Sequence, residues 1–287
     1  MVIIRIQGGL GNQMFQYALY RKLQFLQRKV KVDTSWYLSN TVEAQRLLEL
    51  KSFPINLHEC SRWEKWLKYN TFIRAIEKRF RTIKILYKEK NSGFYLPEIL
   101  RSKHVFLDGY WQSEKYFYDI REILLKDFTF PISVTDKEET ILERIQKTNS
   151  VSIHIRRGDY LNHMDKYGNI CTKEYYYKAI QYMEKKQDSL MFYIFSDDMD
   201  WAKKILDSYK NVYFVELGNE TDCIHDMKLM ASCKHNIIAN SSFSWWASWL
   251  NQNPEKIIIA PCKWQNGNTC QDIWCSDWIR VSAEDGP

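Results

Sequence analysis

Two kinds of segment alternate along the chain. Short runs rich in Val, Ile, Leu and Phe stop at polar or glycine-containing turns, and longer stretches follow in which apolar residues recur every three or four positions. The first run, Val2-Ile3-Ile4-Arg5-Ile6, predicts a strand, followed by a glycine turn and a helix through about Gln27. Val30–Asp33 and His104–Gly109 read as further strands, and Ser113–Leu125 as helical. From residue 150 the alternation is regular. Strands are expected at Val151–Ile155, Leu190–Phe195, Val212–Glu216, Asn236–Ala239 and Lys256–Ala260, with helices over about 173–186, 198–208, 222–232 and 242–251. Strands separated by helices of this length imply βαβ units, parallel sheets and an α/β fold. Pro131 and a polar helical segment divide the halves. The expected domains are 1–145 and 146–287, with the final segment packing back on the first.

One segment departs from the alternation. Trp66, Tyr69, Ile73, Ile76, Phe80, Ile83 and Tyr87 recur at steps of three and four, which predicts one face of a long helix within 61–90. That segment holds ten Lys/Arg against three Glu, so the rest of the chain is close to neutral at a total net charge of +6. A basic amphipathic helix suits an anionic membrane surface. The ordinary alternative, favoured here, is that the apolar stripe packs on the body of the protein. No recognised nucleic-acid module accompanies the basic residues, so no nucleic-acid partner is expected.

Composition narrows the picture. A chain of 287 residues, 45% hydrophobic and 26% charged, has the make-up of a globular protein with a sizeable core. Aromatic rings, 15% of residues, can stack on sugars or bases, but most pack in cores. No apolar run reaches the roughly 18–20 residues of a membrane-spanning helix, and the N-terminus enters a strand with no secretory leader. The seven cysteines form no CxxC pair, so reduced thiols are the simplest account. Cys262, Cys270 and Cys275 cluster but match no common zinc spacing. The expected location is cytoplasmic, with peripheral contact on the inner membrane face through 61–90 as the alternative to internal packing.

The candidate chemistry gathers at strand ends. His154, Arg156, Arg157 and Asp159 follow the strand at 151–155, Ser196 and Asp197 the strand at 190–195, and Asn240, Ser241 and Ser242 the strand at 236–239. All three sets should emerge at the carboxyl edge of one parallel sheet, where open α/β folds bind ligands. Adjacent arginines are natural clamps for a diphosphate, because each guanidinium presents a planar fork of donors. Ser242 reads as the N-cap of a helix whose free N–H groups could meet phosphate oxygens. Trp245, Trp246 and Trp249 read as packing residues. Asp197-Asp198-Met199-Asp200 contains an Asp-x-Asp of the kind that can hold a metal, but aspartates opening a helix are favoured by capping alone. At the other end of the chain, Gly8-Gly9-Leu10-Gly11-Asn12-Gln13 permits close approach of a ligand at a helix start, or is simply a tight turn with a structural Asn.

Together, Gly8 to Tyr17, His154-Ile-Arg-Arg-Gly-Asp-Tyr160, Phe195-Ser-Asp-Asp198 and Asn240-Ser-Ser-Phe-Ser-Trp-Trp246 resemble family-11 glycosyltransferases, the α-1,2-fucosyltransferases. The likeness spans Met1 to about Pro261, is weakest over 40–105, and shares its H-x-R-R-x-D element with α-1,6 and protein O-fucosyltransferases. The resemblance implies a GT-B-like fold, two Rossmann-like domains with parallel sheets facing across a cleft. It also implies inverting transfer of L-fucose from GDP-β-L-fucose to the 2-hydroxyl of a terminal galactose, on an oligosaccharide or a lipid-linked glycan; the alternatives are a fucosyltransferase of another linkage, or a non-catalytic nucleotide-sugar or glycan-binding protein on the same fold. No metal or cofactor is needed, GDP-fucose being a co-substrate. Animal members carry a membrane anchor absent here, so the chain looks like the bacterial form. By the same resemblance Arg156 is the essential arginine. Arg157 either makes a second phosphate contact or helps hold Arg156 in place, and donors around Ser241, Ser242 and Phe243 serve the phosphates. His154, Ser196 and Asp197 lie near ribose or guanine, and Gly11 and Asn12 position phosphate or acceptor from across the cleft. Asp159 is either the general base or a structural partner of an arginine.

Overall fold

The computed structural model describes residues 1–38, 46–69, 86–132, 135–218 and 223–284. The chain divides into two compact units, Met1–Thr129 with Gln271–Ile273, and Phe130–Cys270 with Trp274–Pro287.

In the first unit the elements run β1 (Val2–Arg5), α1 (Leu10–Phe25), β2 (Val30–Asp33), α2 (Arg62–Tyr69), β3 (Leu86–Lys88), β4 (Val105–Asp108) and α3 (Arg121–Asp127). The strands form one parallel sheet in the order β2-β1-β4-β3. Its core takes Val2 and Ile4 of β1 with Met14, Phe15, Leu19 and Leu23 of α1, all buried. Residues 271–273 join this unit through Asp272, whose N–H donates to the Gly93 carbonyl at 2.9 Å and whose carboxylate accepts Tyr95 N–H at 2.8 Å.

Three expectations for this half change. The segment 113–125 is not one helix. It makes two 3-10 turns, Glu114–Tyr116 and Tyr118–Ile120, before α3 begins. The long helix expected within 61–90 does not run through its end, because Leu86–Lys88 forms a strand paired with Phe106–Asp108. Ile73, Ile76, Phe80 and Ile83 of its stripe lie outside the described residues. Trp66 does not pack inward but stays half exposed.

The second unit runs α4 (Asp136–Lys147), β5 (Asn149–Ile155), α5 (Lys173–Lys186), β6 (Leu190–Ser196), α6 (Met199–Leu206), β7 (Val212–Phe214), α7 (Cys223–Ser232), β8 (His235–Ile237), α8 (Ser242–Leu250), β9 (Ile258–Pro261) and β10 (Ile279–Val281). All six strands are parallel, in the order β10-β9-β8-β5-β6-β7. The domain limit expected at 145 shifts to Thr129/Phe130, because α4 packs with α7. Buried Glu138 of α4 lies 2.9 Å from Lys228 Nζ and 2.9 Å from His225 Nδ1 of that helix.

Val151, Ile153 and Ile155 of β5 pack with Tyr175, Tyr176, Ala179, Ile180 and Met183 of α5. Buried tyrosine hydroxyls need partners, and here they find backbone carbonyls. Tyr175 donates to Ile238 at 2.6 Å and Tyr176 to His154 at 3.1 Å. The second contact ties helix α5 to the strand end that carries the candidate site. The expected α/β class, with a parallel sheet in each unit, is the one observed.

Candidate functional site

Register does the first assembly. β5 and β6 pair from Asn149↔Leu190 through Ile155↔Ser196, so Arg156-Arg157 and Asp197-Asp198 leave the same sheet edge side by side. The Asp197 carboxylate then stitches the two turns together. Its Oδ1 accepts Arg157 N–H at 2.8 Å, and its Oδ2 accepts Gly158 N–H at 3.1 Å and lies 3.0 Å from Arg156 Nη1. A Cβ at Gly158 would sit 2.8 Å from that oxygen, so glycine is what the close approach requires. A guanine reader at Asp197 would have to share oxygens already engaged by two N–H groups and a guanidinium.

Arg156 has a second anion, Asp159 Oδ1 at 2.8 Å from Nη2, and lies over the Tyr160 ring at 5.8 Å. Burial opposes its charge, but Asp197 and then Asp159 more than offset that, holding the guanidinium above its ordinary value. Tyr160 is fixed in turn by stacking on Tyr167 at 4.5 Å and by donating its hydroxyl to the Asn240 carbonyl at 2.9 Å. Arg157 is held separately. Its Nε lies 3.0 Å from Asp198 Oδ2, and its guanidinium sits 4.3 Å over the Trp201 ring. Asp198 Oδ1 meanwhile caps α6 by accepting Trp201 N–H at 3.1 Å, and Ser196 Oγ accepts Asp198 N–H at 3.0 Å. Of these aspartates Asp198 caps the helix, whereas Asp197 serves the neighbouring turn. Among the described residues no group of three or more His, Cys, Asp or Glu is arranged to hold a metal.

His154 is 6% exposed, and its Nδ1 has no hydrogen-bond partner among the described residues. Burial, aided by the charge of Arg156, pushes its pKa down to about 3, so the imidazole is neutral. Its ring faces Phe243 at 5.6 Å, which brings the start of α8 to the same edge. That helix begins one residue earlier than expected. The N-cap is Ser241, whose Oγ accepts Phe243 N–H at 3.3 Å, and Ser242 is the first helical residue. Trp245, Trp246 and Trp249 are buried and pack on one another, as expected.

Gly11 and Asn12 belong to the first unit. Gly8, at φ +81°, makes the turn that the left-handed region reserves for glycine. Asn12 Oδ1 accepts Gln112 Nε2 at 2.8 Å. Gln112 follows a turn in which Glu89 accepts the N–H groups of Tyr110 and Trp111 at 2.6 and 3.3 Å. Burial pushes the Glu89 carboxyl up to about 7, against the pull of those two N–H groups. The anion at the start of α1 is the protein's own, because Glu49 Oε2 accepts Leu10 N–H at 3.0 Å.

Thus His154, Arg156, Arg157, Asp159, Ser196, Asp197, Ser241, Ser242 and Phe243 share one sheet edge. Tyr160 and Trp201 also build it, Tyr160 being marked in the sequence only as the last residue of its motif. Only the i, i+3 spacing from Asp198 that an N-cap imposes points to Trp201.

A sheet edge with two clamped arginines beside a helix N-terminus is an anion site, and known proteins say whose. The family model described as "Glycosyl transferase family 11" matches residues 1–282. The chain belongs to this glycosyltransferase family. An alpha-1,2-colitosyltransferase of Escherichia coli is 37% identical, covering 98% of this chain and 99% of its own. The O-antigen biosynthesis glycosyltransferase WbnK of Escherichia coli is 34% identical, covering 96% and 99%. Galactoside 2-alpha-L-fucosyltransferase Sec1 of Mus musculus is 28% identical over 87% of this chain and 64% of its own. In fold, the chain is similar to the fucosyltransferase NodZ from Bradyrhizobium at a TM-score of 0.54 and 15% identity, covering 90% and 94%. As a family-11 glycosyltransferase of GT-B-like fold, it acts on a nucleotide-sugar donor and a glycan acceptor. Among the described residues no helix is long and apolar enough to cross a membrane.

Proposed function

We propose that this glycosyltransferase moves L-fucose from GDP-β-L-fucose to the 2-hydroxyl of a terminal galactose, with inversion. The observation that carries the reading is Arg156, a guanidinium held by Asp159 and Asp197 at the edge where α8 also begins. In the reaction the bond from the anomeric carbon to the β-phosphate oxygen breaks, and its electron pair leaves on the phosphate. The galactose oxygen bonds from the opposite face and gives up its proton to Asp159 or to water. Arg156 neutralises the charge growing on the β-phosphate, and because its carboxylates already fix it, little reorganisation is needed.

Arg157 makes the second phosphate contact, and the N–H groups of Ser242 and Phe243 supply neutral donors at the α8 start. Neutral His154 and Ser196 lie toward the ribose and base. Asp197 keeps the arginines in place and reads guanine only through shared oxygens. Gly11 and Asn12 serve phosphate or acceptor. Asp159 either takes the acceptor proton or orients Arg156, and its 2.8 Å contact with that residue favours orientation. We assign no metal to the reaction, since Asp197 and Asp198 spend their oxygens on arginines and N–H groups.

A second reading has its own support, the 37% identity to an alpha-1,2-colitosyltransferase. Colitose lacks the 3-hydroxyl of fucose. A site built to bond that hydroxyl rejects the deoxy sugar by about 10⁴-fold or more, whereas an indifferent site accepts both. The test is product formation from GDP-fucose and GDP-colitose, each with a panel of β-galactosides and EDTA, with linkages read by NMR. An α-1,2-fucosylated product made in preference supports the first reading. Preferential colitosyl transfer replaces it, and inactivity that magnesium or manganese restores overturns the metal-free assignment.

A further inference from the structure

Helix α2 turns Glu64 and Lys65 inward and Trp63 and Trp66 outward, the reverse of a helix that fills a core. Its start is fixed by a capping box, in which Ser61 Oγ accepts Glu64 N–H at 3.3 Å and Glu64 Oε2 accepts Ser61 N–H at 2.7 Å. Its rotation is fixed by two ion pairs, Lys31 Nζ to Glu64 at 2.9 Å and Lys65 Nζ to buried Asp33 at 3.3 Å. The preceding segment is tied to β2, with Val32 N–H donating to the His58 carbonyl and Cys60 N–H to the Val32 carbonyl, both at 2.9 Å. With that face committed to β2, Trp63 and Trp66 point away from it. Their rings stack at 4.7 Å and 17°, and they remain 66% and 48% exposed, with Arg62 exposed beside them.

Two stacked indoles held in water call for a medium that is apolar at depth and polar at its rim. Trp is the residue that settles at the headgroup level of a bilayer. Charge selects the kind of bilayer, because the sequence from residue 62 to 84 carries eight Lys/Arg against two Glu, with Arg62 exposed, and basic segments beside a membrane are drawn to anionic leaflets. We propose that the Trp63–Trp66 face of α2 docks on an anionic phospholipid bilayer, with the indoles at the headgroup boundary and Arg62 among the lipid phosphates. Docking of this kind does not depend on which sugar the enzyme transfers.

The test is co-sedimentation of the full chain with phosphatidylcholine vesicles, with and without phosphatidylglycerol, across a salt series. Expected are salt-sensitive binding to the anionic vesicles, and a loss of roughly tenfold or more in the Trp63→Ser/Trp66→Ser double variant. Arg62→Glu, which leaves both indoles in place, should also weaken anionic binding. Both variants should melt with the wild type, since the replaced side chains are exposed. Wild-type chain that ignores anionic vesicles overturns the proposal, as does a double variant that binds them equally well. A dimer in solution that the double variant dissociates, with no vesicle binding by the wild type, would give this face to a second copy instead.

Discussion

Asp198 joins Arg157 at 3.0 Å through one carboxylate oxygen and caps helix α6 with the other. One side chain therefore holds both a helix start and one of the paired arginines, and the two tasks separate by substitution. Asp198→Asn keeps an oxygen for the cap but removes the charge, so stability should stay near wild type while the donor KM rises. Asp198→Ala loses both, costing a further ~0.5–2 kcal/mol of stability. Thermal melting and a donor titration on the two variants check this.

Gly158 should tolerate no side chain. A Cβ there falls 2.8 Å from Asp197 Oδ2, the oxygen that also serves Gly158 N–H and Arg156. Pushing that carboxylate aside forfeits charge-assisted contacts worth about 1.5–3 kcal/mol, or roughly ten- to a hundredfold in rate. Steady-state turnover of Gly158→Ala measures it, and wild-type turnover would count against Asp197 as the holder of Arg156.

Glu138 should govern the stability of the second unit. It is fully buried, pairs with Lys228 and lies 2.9 Å from His225 Nδ1. Glu138→Leu takes the carboxylate from Lys228 and should cost about 3–5 kcal/mol, and adding Lys228→Met should recover part of the loss. Urea denaturation of the single and double variants reads both effects.

Asp226 should make stability fall as pH rises. Burial pushes its carboxyl up to about 6 from 3.8, with His225 opposing and Glu138 adding. Between those values the folded chain holds a proton that the unfolded chain has released. The contribution is full below pH 3.8, declines as pH rises, and is lost above about pH 6. Asp226→Asn removes this slope, so the variant should gain on the wild type between pH 4 and 6 and keep a constant lead beyond. Denaturant midpoints across that range test it, and a constant difference throughout would contradict it.

Much of this was legible in the chain itself. Val151–Ile155 and Leu190–Phe195 are runs that only a buried strand explains, and their polar tails had to emerge together once the strands were parallel. What was hidden depends on contacts distant in sequence. Nothing near Leu86 announces a strand, because its partner is Phe106. Ser113–Leu125 breaks into 3-10 turns in a segment where Leu96 N–H donates to the Tyr116 hydroxyl. Glu49 occupies the start of α1 from thirty-nine positions away. Trp66 fits an inward stripe by spacing alone, and it is the pairing of Lys65 with Asp33 that turns the helix over.

In the proposed reaction Arg156, held by Asp159 and Asp197, stabilises the departing diphosphate. The direct measurement is kcat for fucosyl transfer from GDP-fucose to lactose by the wild type and Arg156→Ala, with EDTA present and GDP affinity measured in parallel. Expected is a fall of about a hundredfold or more in kcat, the ~3–4 kcal/mol lost when one preorganised group is removed, with a smaller change in GDP binding. Turnover of Arg156→Ala near the wild-type value would contradict it.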